Sequence, residues 1–137
     1  MKSLFAASVA LAVSTIPGFA GEWQTEEDKG IFLHTLQEGT ARLEMVCDPE
    51  GIWMPPEFHV LVTEGGQFME GNTVEVSTKA ETLTYPLSGG SILGATPEVW
   101  NQLVSALSEP GTVTFSTPTE TVAFNIENRL TADCDQQ

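Results

Sequence analysis

Apolar and polar residues alternate along most of the chain that follows residue 20. The clearest case is the segment 41–47, ARLEMVC, in which every second residue is apolar while Arg42 and Glu44 face the other way. A period of two is typical of a strand that buries one face. Alternation of this kind, or a high content of β-branched and aromatic residues, predicts seven or eight short strands. The segments are 22–26, 31–36, 40–47, 57–63, 73–79, 81–87, 112–116 and 121–126.

A different spacing follows Thr96 and predicts one short helix late in the chain. Thr96 suits the N-cap, Pro97 suits the first helical position, and Glu109–Pro110–Gly111 is a stop signal. Between them one apolar stripe repeats at intervals of three and four residues: Trp100, Leu103, Val104 and Leu107. Short strands, frequent turns and a single helix predict a mainly β fold. We expect an antiparallel β-sandwich or barrel that forms one domain, 21–137.

The first twenty residues have a different character. Lys2 supplies a positive charge, residues 4–16 carry none, and small residues precede a potential cleavage site after Ala20. These features together are typical of a secretory signal peptide. The alternative is a membrane anchor, but crossing a bilayer takes about 20 apolar residues and this run is shorter. The sequence therefore predicts a signal peptide, 1–20, and a periplasmic or secreted domain with no membrane insertion after cleavage.

The charge of the chain narrows the classes of partner. Nineteen acidic residues stand against five basic ones, which gives a formal net charge of −14. The acidic residues are scattered singly, as on a solvated outer face, and do not form one acidic tail. Such a surface repels phosphate backbones and anionic lipid headgroups. We therefore expect no nucleic-acid partner and no membrane-surface role.

The chain contains two cysteines, Cys47 at the end of a predicted strand and Cys134 near the C-terminus. In an exported domain, such a pair favours a disulfide. Closing so long a loop contributes up to about 4–5 kcal/mol in the chain-entropy model. The alternative is a pair of free thiols that binds metal, but a zinc site normally has four ligands and no histidine cluster accompanies these two. We therefore expect a Cys47–Cys134 disulfide.

Several widely spaced residues resemble a pattern found in small exported bacterial domains. An early tryptophan, a strand of the L-x-x-x-C type, a late helix, an F-x-I strand and a closing cysteine correspond here to Trp23, 43–47, 100–107, 124–126 and Cys134. In this layout the chain is similar to the VasI-type proteins associated with type VI secretion and to the invasion-associated locus B type proteins. The resemblance implies a small periplasmic β-domain that acts through contacts, and it supplies no catalytic residue.

Residue types that carry enzyme chemistry are sparse. Because the two histidines fall inside predicted strands and no G-x-S-x-G motif is present, a nucleophilic triad is not predicted. No spacing singles out a carboxylate pair for glycoside cleavage. Soft ligands suited to copper occur without close spacing: they are His34, His59, Met45, Met54 and Met69. We accordingly expect no enzymatic activity, no metal site and no cofactor.

The stretch Trp53–Met54–Pro55–Pro56 is the best candidate for an interaction site. Consecutive prolines cannot donate to a sheet ladder, so the stretch is a loop or an edge. A proline-stiffened Trp and Met present rigid apolar surface at little ordering cost; the alternative is that Trp53 folds back over one end of the sandwich. We expect a non-enzymatic binding or accessory module that contacts a protein or an envelope component. The alternative function is a small hydrolase or a copper-type metal-handling protein.

Overall fold

The computed structural model describes residues 21–131 and 134–136, so the predicted signal peptide, 1–20, lies outside the described residues. Within the described ranges the chain forms ten strands and one helix. The strands are β1 (Gln24–Asp28), β2 (Ile31–Glu38), β3 (Ala41–Cys47), β4 (His59–Glu64), β5 (Gln67–Phe68), β6 (Thr73–Ser77), β7 (Thr82–Pro86), β8 (Ser91–Leu93), β9 (Gly111–Ser116) and β10 (Thr121–Ile126), and helix α1 is Pro97–Ser108.

The strands form two antiparallel sheets, which gives the mainly β, sandwich-like architecture that the sequence predicts. The first sheet has the order β1-β2-β3-β4-β5, with β8 also paired to β4, and the second has the order β10-β9-β6-β7. Consecutive strands pair from β1 to β5, in β6–β7 and in β9–β10, as expected for short strands with frequent turn residues, whereas β5–β6 and β7–β8 do not pair. The inner faces of both sheets supply one continuous hydrophobic core.

The alternation in β3 has the predicted consequence. Leu43, Met45 and Cys47 are buried, whereas Arg42 is exposed and forms an ion pair with Glu44 at 2.7 Å. Partner residues across two antiparallel strands lie on the same face of the sheet. The inner face of β3 therefore meets buried side chains of β2, with Leu43 opposite Leu36 and Met45 opposite His34.

Two short strands, β5 and β8, add to the eight segments that alternation predicts. Gly65 and Gly66 both have positive φ values, 58° and 78°, which lets the chain turn directly from β4 into β5. In β8 only Ile92 is buried, and it lies opposite Val60 of β4. Strands of two or three residues are too short to show a period of two, so the sequence pattern missed them.

Helix α1 begins and ends where the sequence predicts. The Thr96 hydroxyl accepts a hydrogen bond from the Val99 N–H, and Pro97 occupies the first turn. The predicted apolar stripe is the buried face: Trp100, Leu103, Val104 and Leu107. This helix has 12 residues, and no helix in the described part of the chain is long and apolar enough to span a membrane.

The N-terminal end of the domain connects the two sheets. The Gly21 N–H donates to the Gln37 carbonyl oxygen at 3.2 Å, and the Gly21 carbonyl accepts from the Glu127 N–H at 2.8 Å. Because Gly21 has a φ of 85° and its Cα lies against the backbone of Asn125, a side chain there would clash. Trp23, two residues later, is buried, and its indole N–H donates to the Leu107 carbonyl at 3.2 Å.

The C-terminal segment is tied to β3 and to helix α1. Cys47 and Cys134 form the predicted disulfide across a sequence separation of 87 residues, with their Cα atoms 5.3 Å apart. The Trp100 indole N–H donates to the Cys134 carbonyl at 2.7 Å, and the Gln136 N–H donates to the Asn101 side-chain oxygen at 2.7 Å. The end of the described chain is therefore part of the packed domain.

Candidate functional site

Residues 48–57, which lie between β3 and β4, carry the two most exposed large apolar side chains of the described chain, Trp53 and Met54. Ile52 is 50% exposed, Trp53 58% and Met54 91%. Trp53 therefore does not fold back to cover the sandwich, which was the alternative to a projecting loop. Pro55 and Pro56 follow and are also exposed, and the Met54–Pro55 peptide bond is cis. We refer to residues 48–57 as the 48–57 loop.

Asp48 holds the backbone of this loop in place. Its Oδ1 accepts from the Ile52 N–H at 2.7 Å, and its Oδ2 accepts from the N–H groups of Trp53 at 3.0 Å and Glu57 at 3.3 Å. The Asp48 carbonyl also accepts from the Gly51 N–H at 3.1 Å, which closes a turn over Asp48–Gly51. A single buried carboxylate thus binds both ends of the exposed apolar segment.

The electrostatics of Asp48 fit this role. Burial by itself raises the pKa of the Asp48 carboxyl group, but the backbone N–H groups of Trp53, Ile52, Glu57 and Gly51 outweigh burial and hold the pKa below its ordinary value. The carboxylate is therefore charged at neutral pH and is a strong acceptor for these donors. Sequence periodicity does not reveal this role of Asp48, because the three donors lie four, five and nine positions later and share no period.

A second cluster lies in the core against the disulfide. A ring nitrogen of His34 and the sulfur atoms of Cys47 and Cys134 all lie within 4.8 Å of one another, and Cys134 Sγ lies 3.4 Å from Met45 Sδ. All four residues are buried. Within the described residues these three form the one group of three histidine, cysteine or acidic side chains close enough to share an ion. We refer to His34, Met45, Cys47 and Cys134 as the sulfur cluster.

His34 has one partner for its two ring nitrogens. Nδ1 forms a hydrogen bond with the Thr25 hydroxyl at 2.8 Å, whereas the buried Nε2 has no hydrogen-bond partner. Burial lowers the pKa of His34, so the imidazole is neutral at neutral pH. The Phe32 ring stacks on it, with ring centroids 6.1 Å apart. A neutral imidazole with a free nitrogen is the form that ligates metals.

The other soft ligands named from the sequence are not brought into this cluster by the sheet pairing. His59 lies opposite Val46, on the face of the sheet away from Met45, and its Nδ1 lies 3.4 Å from Glu57 Oε1. Met54 is in the exposed 48–57 loop, and Met69 is buried directly after β5. The five predicted candidates are therefore divided, with His34 and Met45 as direct cross-strand partners. Sequence spacing missed the cluster because its cysteines had already been assigned to a disulfide.

A groove of about 300 Å³ lies between the end of helix α1 and the second sheet. It is lined in part by Glu81, Ser105 and Glu109, and contains neither histidine nor cysteine. Glu109 already forms an ion pair with Arg129 at 2.9 Å. This groove offers carboxylates, and its lining residues include no imidazole that could serve as the base of a serine triad.

Comparison with known proteins adds no assignment to this geometry. No protein-family model, no curated protein and no solved structure matches the chain. The 48–57 loop and the sulfur cluster are therefore the features from which a function is inferred.

Proposed function

We propose that this protein is a non-enzymatic binding module of the periplasm or the extracellular space, and that it contacts a protein partner through the 48–57 loop. The observation that carries the proposal is the exposure of Ile52, Trp53 and Met54 on a loop whose backbone is fixed by Asp48. The resemblance to exported domains that act through contacts points in the same direction.

A fixed apolar loop is well suited to binding because its ordering cost is small. Association normally loses free energy when a mobile loop becomes ordered, and a preformed loop reduces that loss. Tryptophan is also the residue type that most often dominates an interface, and removing such an anchor commonly costs 2 kcal/mol or more of binding free energy, as an order of magnitude. Trp53 and Met54 together supply a large apolar contact area at a single point.

The charge around the loop favours a protein partner with a basic rim. Glu50 and Glu57 flank the apolar residues and are exposed, and the whole chain has a formal net charge of −14. Opposite charges around an apolar centre increase the rate of association and exclude wrong partners. An anionic lipid surface or glycan would be repelled by the same residues. An apolar pocket edged with lysine or arginine is thus the complementary surface.

The test is site-specific crosslinking in the native cells. A photoreactive amino acid at position 54, where exposure is greatest, is expected to give one discrete adduct with a protein partner. Adding Trp53→Ala should abolish that adduct. Leu93→Ala is the matched control, because Leu93 has a similar exposure of 55% but lies on β8; this variant should retain the adduct.

Stability measurements decide whether Trp53 belongs to the binding surface or to the fold. Because Trp53 is largely exposed, Trp53→Ala should change the free energy of unfolding by less than about 0.5 kcal/mol. An adduct that persists in Trp53→Ala, or no adduct at all, refutes the proposal. A fall of many degrees in Tm for Trp53→Ala also refutes it, since the side chain would then support the core.

The alternative of a metal-handling protein has one specific observation in its favour, the sulfur cluster. It concerns a different part of the molecule from the 48–57 loop and is compatible with a binding module. Its chemistry is developed below.

A further inference from the structure

We propose that the sulfur cluster, in its dithiol form, binds one Cu(I) ion through Cys47 Sγ, Cys134 Sγ and His34 Nε2, with Met45 Sδ as an additional weak ligand. This proposal goes beyond the binding function and departs from the expectation that the protein has no metal site. It does not depend on the 48–57 loop, so either proposal can fail without the other.

The separations within the cluster are close to those of a metal site. Ligands placed about 2.0–2.3 Å from one metal ion lie roughly 3.3–4 Å from one another, and one ring nitrogen of His34 and both sulfurs already lie within 4.8 Å of one another. The thioether of Met45 is 3.4 Å from Cys134 Sγ. Breaking the sulfur–sulfur bond lets the two thiolates separate by the small distance that an ion between them requires.

His34 is the feature that a purely structural disulfide leaves unexplained. Buried polar atoms nearly always have a hydrogen-bond partner, yet Nε2 of His34 has none. Its other nitrogen is engaged with the Thr25 hydroxyl. When Nδ1–H donates to that hydroxyl, Nε2 carries a free lone pair. A hydrogen bond from the other ring nitrogen is the interaction that orients histidines that bind metals.

The donor set selects the metal. Two thiolates, a thioether and an imidazole are soft ligands that favour Cu(I) over the hard cations. No acidic side chain belongs to this group of ligands, and all four residues are buried. A dry site with few ligands suits Cu(I), which needs no bound water to complete its coordination.

The disulfide and the copper site exclude each other. An external dithiol reduces the cystine through a mixed disulfide: it supplies two electrons and two protons, Cys47 and Cys134 become thiols, and the external dithiol becomes a disulfide. Cu(I) then displaces the two thiol protons and forms two copper–thiolate bonds. In the oxidised protein both sulfurs are bonded to each other, so no thiolate is available.

The test compares oxidised and reduced protein under anaerobic conditions. The full chain is reduced with a phosphine, freed of reductant and titrated with Cu(I) in competition with a chromogenic chelator. We expect one Cu(I) per reduced chain, with thiolate-to-copper charge-transfer absorption in the near ultraviolet, and at least a 100-fold weaker affinity for the oxidised chain. His34→Gln should weaken binding at least tenfold, whereas the matched variant His59→Gln should not change it.

Near-ultraviolet circular dichroism shows whether the folded site is the one that binds. Trp100 contacts Cys134 through its indole N–H, so its signal reports on the packing of the C-terminal segment. If reduction loosens the protein, one equivalent of Cu(I) must restore the tryptophan signal. Equal affinity in oxidised and reduced protein, unchanged affinity in His34→Gln, or binding without a native tryptophan signal would each overturn the proposal.

Discussion

Replacing Asp48 with asparagine should destabilise the domain by about 2–4 kcal/mol. Asparagine retains one side-chain oxygen, which can still accept from the Ile52 N–H, but its NH₂ group then faces the N–H groups of Trp53 and Glu57. Two bonds to Oδ2, at 3.0 and 3.3 Å, are lost. Hydrogen bonds to a charged acceptor contribute about 1.5–3 kcal/mol each, and the longer bond falls at or below the lower end of that range.

Chemical denaturation at pH 7 measures the decrease in the free energy of unfolding directly. For a domain of this size, that decrease corresponds to a fall of roughly 10 °C in Tm. Asp28→Asn is the matched control, because Asp28 is exposed at the end of β1. That variant should unfold like the parent protein. Hydrogen exchange should also become faster at the amides of Trp53 and Glu57 in Asp48→Asn, since these two amides lose their acceptor.

The pH dependence of the same variant provides an independent check. Because the native pKa of Asp48 lies below the ordinary value of 3.8, the carboxylate stabilises the fold above about pH 4. That contribution is lost as the pH falls through the native pKa. The stability difference between parent and Asp48→Asn should therefore shrink below pH 4. A difference that stays constant with pH, or unchanged stability of Asp48→Asn at pH 7, would contradict the role assigned to this carboxylate.

Two further predictions concern the core and the disulfide. Burial, and to a lesser degree the charge of Glu81, raises the pKa of Tyr85 to about 12. Because the unfolded state releases the phenol proton at lower pH than the folded state, the free energy of unfolding should fall as the pH rises from 10 towards 12. Tyr85→Phe removes a buried hydroxyl that has no hydrogen-bond partner, so the free energy of unfolding at pH 7 should change by no more than about 1 kcal/mol. The same variant should lose less stability between pH 10 and 12. A loss equal to that of the parent protein would contradict the raised pKa of Tyr85. Finally, the native protein should show no thiol to alkylating reagents, and reduction should lower the free energy of unfolding by up to about 4.5 kcal/mol for a loop of 87 residues. A Cys47→Ser/Cys134→Ser variant should not respond to reductant, and alkylation of the untreated native chain would refute the disulfide.

Local patterns in the sequence predict most of the framework. The period of two in 41–47 and the Thr96–Pro97 start of the helix are signals contained within a few residues, and the structure confirms both. The disulfide was also predictable, because only one pairing of two cysteines exists. These features depend on residue type and spacing alone.

The candidate sites depend on contacts that no local pattern encodes. Asp48 resembles any acidic turn residue in the sequence, yet it binds amides up to nine positions later. His34 and Met45 become neighbours only through the register of β2 and β3, and Cys134 reaches them from the other end of the chain. Pairing register and long-range closure therefore set the chemistry of the core, and neither is visible as periodicity.

The bond between Cys47 and Cys134 also constrains how the protein can be made. The N-terminal end of the domain reaches its final environment only after strand β10 has arrived, because Gly21 bonds to Glu127 and the Trp23 N–H donates to the Asn128 side-chain oxygen. A nascent chain that has emerged only as far as β9 still lacks β10 and Cys134, so Cys47 remains an unpaired thiol. We expect such chains to depend on protection from aggregation until synthesis is complete.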